Sequence, residues 1–221
     1  MKRLIITIDG PSGAGKTTVS RILADRLGYR YIDTGALYRG VALAAISLGL
    51  NPDDDNAFFS LLNTLKMTFM PDEKGLRLFL NGSDVTDRIR TPEISMVASA
   101  VSAKPVVRNY LLNLQRDLGR DKNVVVEGRD MGTVVFPDAD LKFFLDASLQ
   151  TRAKRRFKEL SSTTPQSLKA VETDMRRRDQ NDSTRDLAPL KPAEDAIRID
   201  STGLTIEDVV DRMVAAVNSL S

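Results

Sequence analysis

The chain has 221 residues, of which 28% are charged and 42% hydrophobic, and its formal net charge is +2. This composition is that of an ordinary globular protein, and the near-neutral charge argues against a protein that coats nucleic acid. The sequence contains no cysteine and no histidine. It therefore excludes disulfides, thiol chemistry, cysteine-based zinc sites and histidine general bases. Any catalysis must use lysine, arginine, carboxylates, hydroxyl groups and a hard metal ion.

The length permits one sizeable core with an inserted subdomain, or at most two small domains. No segment has the pattern of a secretory leader, and no apolar run approaches the roughly 18 residues of a membrane span. We therefore expect a cytoplasmic protein that binds neither a membrane nor nucleic acid.

The first predicted strand is the apolar run Leu4–Ile8, and a helix is predicted at 16–27, ended by Gly28. Between them lies Gly-Pro-Ser-Gly-Ala-Gly-Lys-Thr, a G-x-x-x-x-G-K-[ST] phosphate loop in the strand–loop–helix setting that the motif requires. In such a loop, backbone N–H groups surround polyphosphate oxygens, Lys16 bridges the outer phosphates and the Thr17 hydroxyl binds Mg²⁺. We expect a nucleoside triphosphate to be bound by Gly10, Pro11, Ser12, Gly13, Ala14, Gly15, Lys16, Thr17 and Thr18.

The second predicted strand, Tyr29–Ile32, is followed by a helix at 35–49. Asp33 and Thr34 then lie at the carboxyl edge of the sheet near the phosphate loop, and Arg39 projects from the first turns of the helix. This position favours a ligand site. An N-cap followed by a solvated arginine is the alternative.

Residues 63–91 break the pattern. Leu65–Phe69 and Leu76–Leu80 alternate between apolar and polar residues, and Asn81-Gly82 predicts a tight hairpin turn. We predict a small antiparallel insertion here. A structural flap and an element that closes on a substrate are both open interpretations.

The rest of the chain predicts further strands and helices in alternation. The strands are Asn123–Val126, Leu141–Leu145 and Ala196–Ile199, and the helices are 92–103, 105–120, 148–160, 165–180 and 205–219. In the last helix Thr205 is the expected N-cap, and the expected packing stripe is Ile206, Val209, Val210, Met213 and Val217. The pattern predicts a doubly wound α/β fold with a five-stranded parallel sheet, whose ligands collect beyond the carboxyl ends of the strands.

Three charged residues, Glu127, Arg129 and Asp130, stand where the strand at 123–126 ends. A turn would explain them, but Arg129 would face the same crevice as Lys16, and we therefore favour a site. Candidates for the carboxylate that orders the Mg²⁺ waters are Asp9, Asp33 and Glu127.

Arginine is concentrated after the fourth core strand. For Arg152, Lys154 and Lys158 the pattern is typical of a solvated helix face. The stretch 175–185 is denser, and its arginines cannot all point one way on a helix. It predicts a lid at about 151–186 that excludes water from a transferring phosphoryl group. Because the lid has few large apolar residues, we expect ligand charge to hold it.

The absence of histidine bears on which chemical group could accept a phosphoryl group. Phosphoryl transfer depends on positioning and charge neutralisation far more than on proton abstraction. A phosphate oxygen is already anionic and needs no base. Arg39 and Arg129 would then hold an acceptor phosphate while Lys16, Mg²⁺ and lid arginines neutralise the donor.

Several motifs together resemble the bacterial cytidylate kinases (CMP/dCMP kinases), a family of P-loop nucleoside monophosphate kinases. The matching segments are Gly10–Thr17, Ile32–Arg39, Glu127–Gly132, and Ala188–Leu190 ahead of Asp200–Thr202. The resemblance spans essentially the whole chain. It implies a single domain over 1–221, whose parts are a core (1–62, 92–150 and 187–221), a monophosphate-binding insertion at about 63–91 and a helical arginine-rich lid at about 151–186.

The resemblance also implies a reaction. ATP and Mg²⁺ would serve to phosphorylate CMP or dCMP, giving CDP or dCDP and ADP, in a cytoplasmic and usually monomeric enzyme of pyrimidine nucleotide metabolism. The implied catalytic residues are Lys16, Arg129 and Arg178. The resemblance implies that Arg39 and Arg129 bind the acceptor phosphate, with Thr34 and Tyr38 beside Arg39. It implies that Ser99, Arg108 and Asp130 bind cytosine. Arg178, Asp182 and Arg185 would belong to the lid and the sugar site.

Two other functions stay open. The first is another small-molecule P-loop kinase, acting on UMP, AMP or a non-nucleotide alcohol. An alcohol acceptor would call for a placed general base, and no D-x-D pair follows Ile32. The second is a P-loop switch or regulatory ATPase that binds a protein partner. A guanine-binding switch would be expected to carry an Asn-Lys-x-Asp base reader, which the sequence lacks.

Overall fold

The structure, a computed structural model, describes residues 3–72, 75–160 and 166–220. The described strands are β1 (Ile5–Asp9), β2 (Arg30–Asp33), β3 (Met67–Asp72), β4 (Gly75–Leu80), β5 (Ser83–Asp84), β6 (Val124–Gly128), β7 (Leu141–Asp146) and β8 (Ile197–Asp200). The described α-helices are α1 (Lys16–Leu27), α2 (Thr34–Ser47), α3 (Asp55–Thr64), α4 (Pro92–Val101), α5 (Pro105–Gly119), α6 (Leu149–Leu160), α7 (Leu168–Thr184) and α8 (Ile206–Ser219). A 3₁₀ turn covers Arg88–Arg90 and a π-helical turn covers Met131–Val135.

The larger sheet has five strands in the order β2-β6-β1-β7-β8, and the smaller has the order β3-β4-β5. The predicted fold class, a parallel α/β sheet with a small antiparallel insertion, is confirmed. The chain divides into two compact units. The phosphate-loop unit comprises Met1–Arg30 and Asp121–Ser221, and the middle unit comprises Tyr31–Arg120. Over the described ranges, no helix combines the length and the apolar character needed to span a membrane.

The register of the large sheet brings two loops of the phosphate-loop unit to the same edge. Strand β1 pairs in parallel with β6 on one side and β7 on the other, and its last residue, Asp9, lies opposite Gly128. Ile6 and Ile8 of β1 are fully buried, as expected of a central parallel strand covered on both faces. The chain therefore leaves β1 and β6 side by side, and the phosphate loop begins next to the charged residues that follow β6.

Helix ends in the phosphate-loop unit follow the predicted capping signals. Gly28 ends α1 with a φ of 65°, and Thr205 begins α8 with a complete capping box to Asp208. Three residues of the predicted α8 stripe are buried, namely Val209, Val210 and Met213. Ile206 is 51% exposed, so its predicted burial was wrong. It opens the helix, one turn before the first buried residue.

The helices of the predicted lid, α6 and α7, pack through their own apolar cluster. Its buried members are Ala153, Leu160, Val171 and Met175, and Leu149 and Phe157 pack against them. The expectation that the lid has few apolar anchors was therefore wrong, because these residues recur at helical spacing on the inner faces of both helices. Helix α7 also runs four residues beyond the predicted end at 180. The predicted start at 165, like the rest of 161–165, lies outside the described residues.

The middle unit contains one helix that we did not predict, α3. The Asp54 side chain accepts a hydrogen bond from the Ala57 N–H, and Phe58, Leu61 and Leu62 are buried. The predicted insertion is present as the sheet β3-β4-β5, in which Met67 lies opposite Leu80. The predicted tight turn falls between β4 and β5, as expected.

Candidate active site

The phosphate loop folds around the side chain of its own lysine. Lys16 is buried at the start of α1, and its Nζ donates a hydrogen bond to the Pro11 carbonyl at 2.7 Å. Burial, followed by the Arg129 charge, lowers the pKa of Lys16 to about 7, whereas the Glu127 carboxylate acts in the opposite direction. An amine with such a perturbed pKa, in a glycine-rich loop at a helix N-terminus, marks an anion-binding site.

The candidate carboxylates for Mg²⁺ differ in their hydrogen-bond partners. The Thr17 hydroxyl donates to Glu127 Oε1 at 2.8 Å. Asp9 instead accepts from the Met131 and Gly132 N–H groups at 2.9 and 2.8 Å, so its two oxygens anchor the π-helical turn after β6. Burial raises the pKa of Asp9 to about 6.

The pair of Thr17 and Glu127 offers the hard oxygen ligands that Mg²⁺ requires. Among the described residues no group of three or more potential ligand side chains lies together. In the usual Mg²⁺ site of phosphotransferases, one or two protein ligands are completed by substrate phosphates and water. The residues present therefore fit a magnesium ion that arrives with the triphosphate.

Two arginines that we predicted to be catalytic converge on one carboxylate. Arg129 Nε donates to Asp182 Oδ2 at 2.9 Å, and Arg178 Nε lies 4.0 Å from the same oxygen. Asp182 is buried, which opposes its ionisation, yet Arg129 and Arg178 together hold its pKa below the usual range. Both arginines also influence the pKa of Lys16. Positive charge is thus concentrated beside the phosphate loop.

Asp130 and Arg185 are also brought together in this unit. Arg185 Nη2 lies 3.7 Å from Asp130 Oδ1, and both side chains are at least 95% buried. Asp130 precedes the π-helical turn, but its side chain makes no capping hydrogen bond to it; its carbonyl oxygen accepts from the Val134 and Val135 N–H groups instead. The Asp130 side chain therefore does not cap this turn.

In the middle unit, Asp33 caps α2 and also holds Arg39. Asp33 accepts from the Ala36 N–H at 3.1 Å and from Arg39 Nη2 at 2.7 Å. Burial opposes ionisation of Asp33, but Arg39 and Arg90 lower its pKa below the usual value. The alternative of a solvated arginine is wrong, because only 16% of the Arg39 side chain is exposed. Within the described part of the chain, the buried Arg39 Nε has no hydrogen-bond partner.

Two further predicted substrate residues, Ser99 and Arg108, lie on α4 and α5 of the same unit. Arg108 Nη1 donates to the Ser102 carbonyl at 3.1 Å, and the Ser102 hydroxyl donates to the Ser99 carbonyl at 2.7 Å. The Arg108 guanidinium also lies 5.7 Å from the centre of the Tyr38 ring. Ser99, Arg108 and Thr34 are all buried.

The predicted site residues thus fall into two groups. The phosphate-loop unit holds Lys16, Thr17, Arg129, Asp130, Arg178, Asp182 and Arg185, and the middle unit holds Thr34, Tyr38, Arg39, Ser99 and Arg108.

One prediction in this region was wrong, since Arg152 is buried and donates to the Ser12 carbonyl of the phosphate loop. Arg152 lies three residues after Leu149, and Ala153 lies four residues after Leu149, so all three residues share the inner face of α6. That spacing was the overlooked signal.

Gly10 is the residue of the loop least able to accept a side chain. Its φ is +148°, and a Cβ there would lie 1.9 Å from the Leu145 carbonyl oxygen. We expect Gly10→Ala to lower the free energy of unfolding by about 3 kcal/mol or more, because rigid backbone blocks the added methyl. Denaturant unfolding measures this.

Gly15→Ala is the matched control, with a φ of +96° and no atom closer than 3.9 Å to the added Cβ. It should cost only the backbone strain of about 1–2 kcal/mol. Equal losses in the two variants would contradict the clash at Gly10.

A phosphate loop at the carboxyl edge of a parallel sheet, with half-buried arginines beside its lysine, defines the class of P-loop phosphotransferases. A gluconokinase from Sinorhizobium meliloti 1021 shares the fold at a TM-score of 0.51 and 16% identity, over 99% of this chain and 93% of that one. The sequence profile described as cytidylate kinase matches residues 6–219. The chain belongs to the cytidylate kinase family and is a kinase.

Two relatives show how close the similarity is. The chain is 54% identical to the cytidylate kinase of Geobacter sulfurreducens over 215 residues, which are 97% of this chain and 92% of that protein. It is 49% identical to the cytidylate kinase of Geobacter sp. strain M21 over 211 residues, which are 95% of this chain and 91% of that protein.

Proposed function

We propose that the protein transfers the γ-phosphoryl group of ATP to CMP or dCMP, giving ADP and CDP or dCDP. The observation that carries this proposal is the group of Arg129, Arg178 and Asp182 beside the buried Lys16. Phosphoryl transfer requires positive charge placed in advance around a transition state whose negative charge is spread over several oxygens. Membership of the cytidylate kinase family supports the nucleotide acceptor.

The donor would be held by Gly10–Thr18. Lys16 would leave the Pro11 carbonyl and donate to the outer phosphate oxygens, which favour its charged form. Thr17 and Glu127 would hold Mg²⁺, which supplies positive charge that neutralises the donor phosphates.

The acceptor phosphate would be bound by Arg39 and Arg129. Both guanidinium groups are already held by carboxylates, Arg39 by Asp33 and Arg129 by Asp182. The buried Arg39 Nε, which has no hydrogen-bond partner in the described residues, is a donor left for a ligand. A phosphate oxygen attacks as an anion, so the absence of a histidine base is no obstacle.

The nucleoside would be recognised by the remaining predicted residues. Asp130, Ser99 and Arg108 would bind the cytosine base, and Asp182 and Arg185 would act on the sugar side. Thr34 and Tyr38, which flank the first turns of α2, would line the acceptor site. We further propose that the enzyme is a cytoplasmic monomer.

Product analysis tests the function. The purified protein is incubated with ATP and Mg²⁺ and, separately, CMP, dCMP, UMP, AMP, an alcohol acceptor such as gluconate, or no acceptor. Formation of CDP and dCDP, with one ADP for each, is the expected result. Diphosphate made mainly from UMP or AMP, or phosphorylated gluconate, would indicate another small-molecule kinase. ADP and inorganic phosphate without an acceptor product would indicate a regulatory ATPase.

We predict that the lid, residues 151–186, becomes more ordered when both nucleotides bind. Helix α7 carries arginine side chains on both its exposed and its inner faces, and charge from a bound triphosphate would hold the inner ones. Hydrogen exchange with and without a bisubstrate analogue measures the effect, with the largest gain in protection expected at 176–184. Equal exchange in the two states would contradict the prediction.

A further inference from the structure

Two arginines of α6 donate to carbonyl groups of the phosphate loop. Arg152 Nη1 donates to the Ser12 carbonyl at 3.0 Å, and its Nε donates to the Ala147 carbonyl at 2.8 Å. One helical turn further, Arg155 Nη1 lies 3.4 Å from the Ala14 carbonyl oxygen.

Ser201 completes the contact with Ala14. Its hydroxyl donates to the Ala14 carbonyl at 3.2 Å and accepts from Arg155 Nη1 at 3.0 Å. The Ser201 carbonyl also accepts from Arg155 Nη2 at 2.7 Å. Two alternate carbonyls of the loop, those of Ser12 and Ala14, are therefore held by donors that approach from α6 and from the turn after β8.

The orientation of a carbonyl group fixes the next N–H group. In a planar trans peptide, the carbonyl of one residue and the N–H of the next point to opposite sides, and the described residues contain no cis peptide bond. Donors that fix the Ser12 carbonyl therefore fix the Gly13 N–H on the other side of the loop. The Ala14 carbonyl fixes the Gly15 N–H in the same way. These N–H groups belong to the loop that surrounds the phosphates.

Arg152 is itself held by the lid. Its Nη2 lies 2.7 Å from Asp179 Oδ2, and its side chain is 93% buried. Asp179 directly follows Arg178 on α7. The same helix approaches the loop closely, because a Cβ added to Gly13 would lie 2.8 Å from the Met175 Cε.

We propose that Arg152 and Arg155 are positioning residues that orient the peptide groups of the phosphate loop for ATP, and that Asp179 holds Arg152 in place for this role. Donors fixed before binding need no reorganisation when the triphosphate arrives, so they bind it more tightly. In this role both arginines act through the loop and not on the phosphates. The proposal rests on the proposed function only in naming ATP as the ligand.

The decisive variant is Asp179→Ala, because a purely electrostatic effect and a positioning role predict opposite changes in ATP affinity. Removing a negative charge near the phosphates would leave ATP affinity equal or tighter by Coulomb's law. Loss of the partner that holds Arg152 should instead weaken ATP binding by about tenfold, the value of one charged hydrogen bond. Asp174→Ala is the matched control, since it removes the same charge from the same helix, and Asp174 forms its ion pair with the exposed Arg177.

Calorimetry with ATP alone and with CMP alone provides the readout, together with the melting temperature. We expect weaker ATP binding in Asp179→Ala, CMP binding unchanged within about threefold, and Asp174→Ala like the parent protein. Equal or tighter ATP binding by Asp179→Ala would overturn the proposal. A parallel loss of ATP and CMP affinity with a lowered melting temperature would also overturn it, because it would show a general structural role.

Ser201→Ala provides a second test that does not alter charge or α7. It removes one donor to the Ala14 carbonyl, so ATP affinity should fall by about three- to tenfold. Unchanged affinity would refute the role of the Ala14 carbonyl. These binding measurements need no acceptor chemistry, so a parent protein that binds ATP but makes no CDP would refute the proposed function alone.

Discussion

Replacing Lys16 with alanine is expected to lower kcat by about 10³-fold or more. The Lys16 side chain is buried at the start of α1. The other residues of the phosphate-loop sequence, Gly10–Gly15 and Thr17, carry no positive charge. As phosphoryl transfer proceeds, negative charge grows on the oxygens between the β- and γ-phosphates. An ammonium group in a site that excludes water stabilises that charge far more than it would in bulk solvent.

The folded state should survive the substitution. Burial already disfavours the charged form of Lys16 and lowers its pKa to about 7, so alanine also removes a desolvation cost. Lys154→Ala, on an exposed position of α6, is the control for loss of one lysine. Both variants are compared by melting temperature and by kcat for CMP at saturating ATP. A folded Lys16→Ala protein that keeps more than about a tenth of the parent kcat would refute the transition-state role.

The sequence predicted the phosphate loop well because every signal for it is local. The apolar run of β1, the glycines of the loop and the cap at Gly28 all lie within the first 28 residues. Neighbours in the chain decide such structure, so no tertiary information is needed.

Helix α3 was missed although its signals were present. Asp54 is an N-cap, and Phe58, Leu61 and Leu62 follow at helical spacing. The helix has only 10 residues, and among them are asparagine, serine, threonine and two adjacent phenylalanines, all weak helix formers. Packing of its apolar face stabilises α3, and packing is a tertiary effect that propensity does not report.

The partners of charged side chains could not be predicted for a different reason. Arg129 and Asp182 lie 53 residues apart in the sequence, and Asp9 is 122 residues from the Met131 N–H group that it accepts from. The sequence placed Arg129 at a strand end and Asp182 in the predicted lid, but it did not show that they pair. Only the folded chain shows that Glu127 accepts from Thr17 whereas Asp9 anchors a turn. For Arg152, the pattern of charge obscured the apolar periodicity that places it inside.

Base selectivity is the other prediction with a large expected effect. Cytosine presents an amino donor beside the N3 and O2 acceptors, whereas uracil presents a carbonyl acceptor beside an N3–H donor. The Asp130 carboxylate and the Ser99 hydroxyl can accept from the amino group, and Arg108 can donate to N3 and O2. With uracil, these donors and acceptors would be mismatched and buried polar groups left unpaired. We expect kcat/KM for CMP and dCMP to exceed that for UMP by up to about 10⁴-fold.

Asp130 is well suited to read the amino group. Its side chain is buried, and its Oδ1 lies 3.7 Å from Arg185 Nη2. Because the side chain makes no capping hydrogen bond to the turn that follows, the turn does not require a carboxylate there. We therefore propose that the buried Asp130 carboxylate serves a ligand.

Asp130→Ala should therefore reduce the CMP/UMP ratio of kcat/KM by about 10²-fold or more, mainly by loss of activity with CMP. Asp138→Ala, which removes an exposed carboxylate from the same unit, is the control and should leave the ratio unchanged. Activity with UMP distinguishes recognition from damage to the site, since damage would lower kcat/KM for both nucleotides together. A parent protein that uses UMP as well as CMP, or an Asp130→Ala protein with the parent ratio, would show that this carboxylate does not read the base.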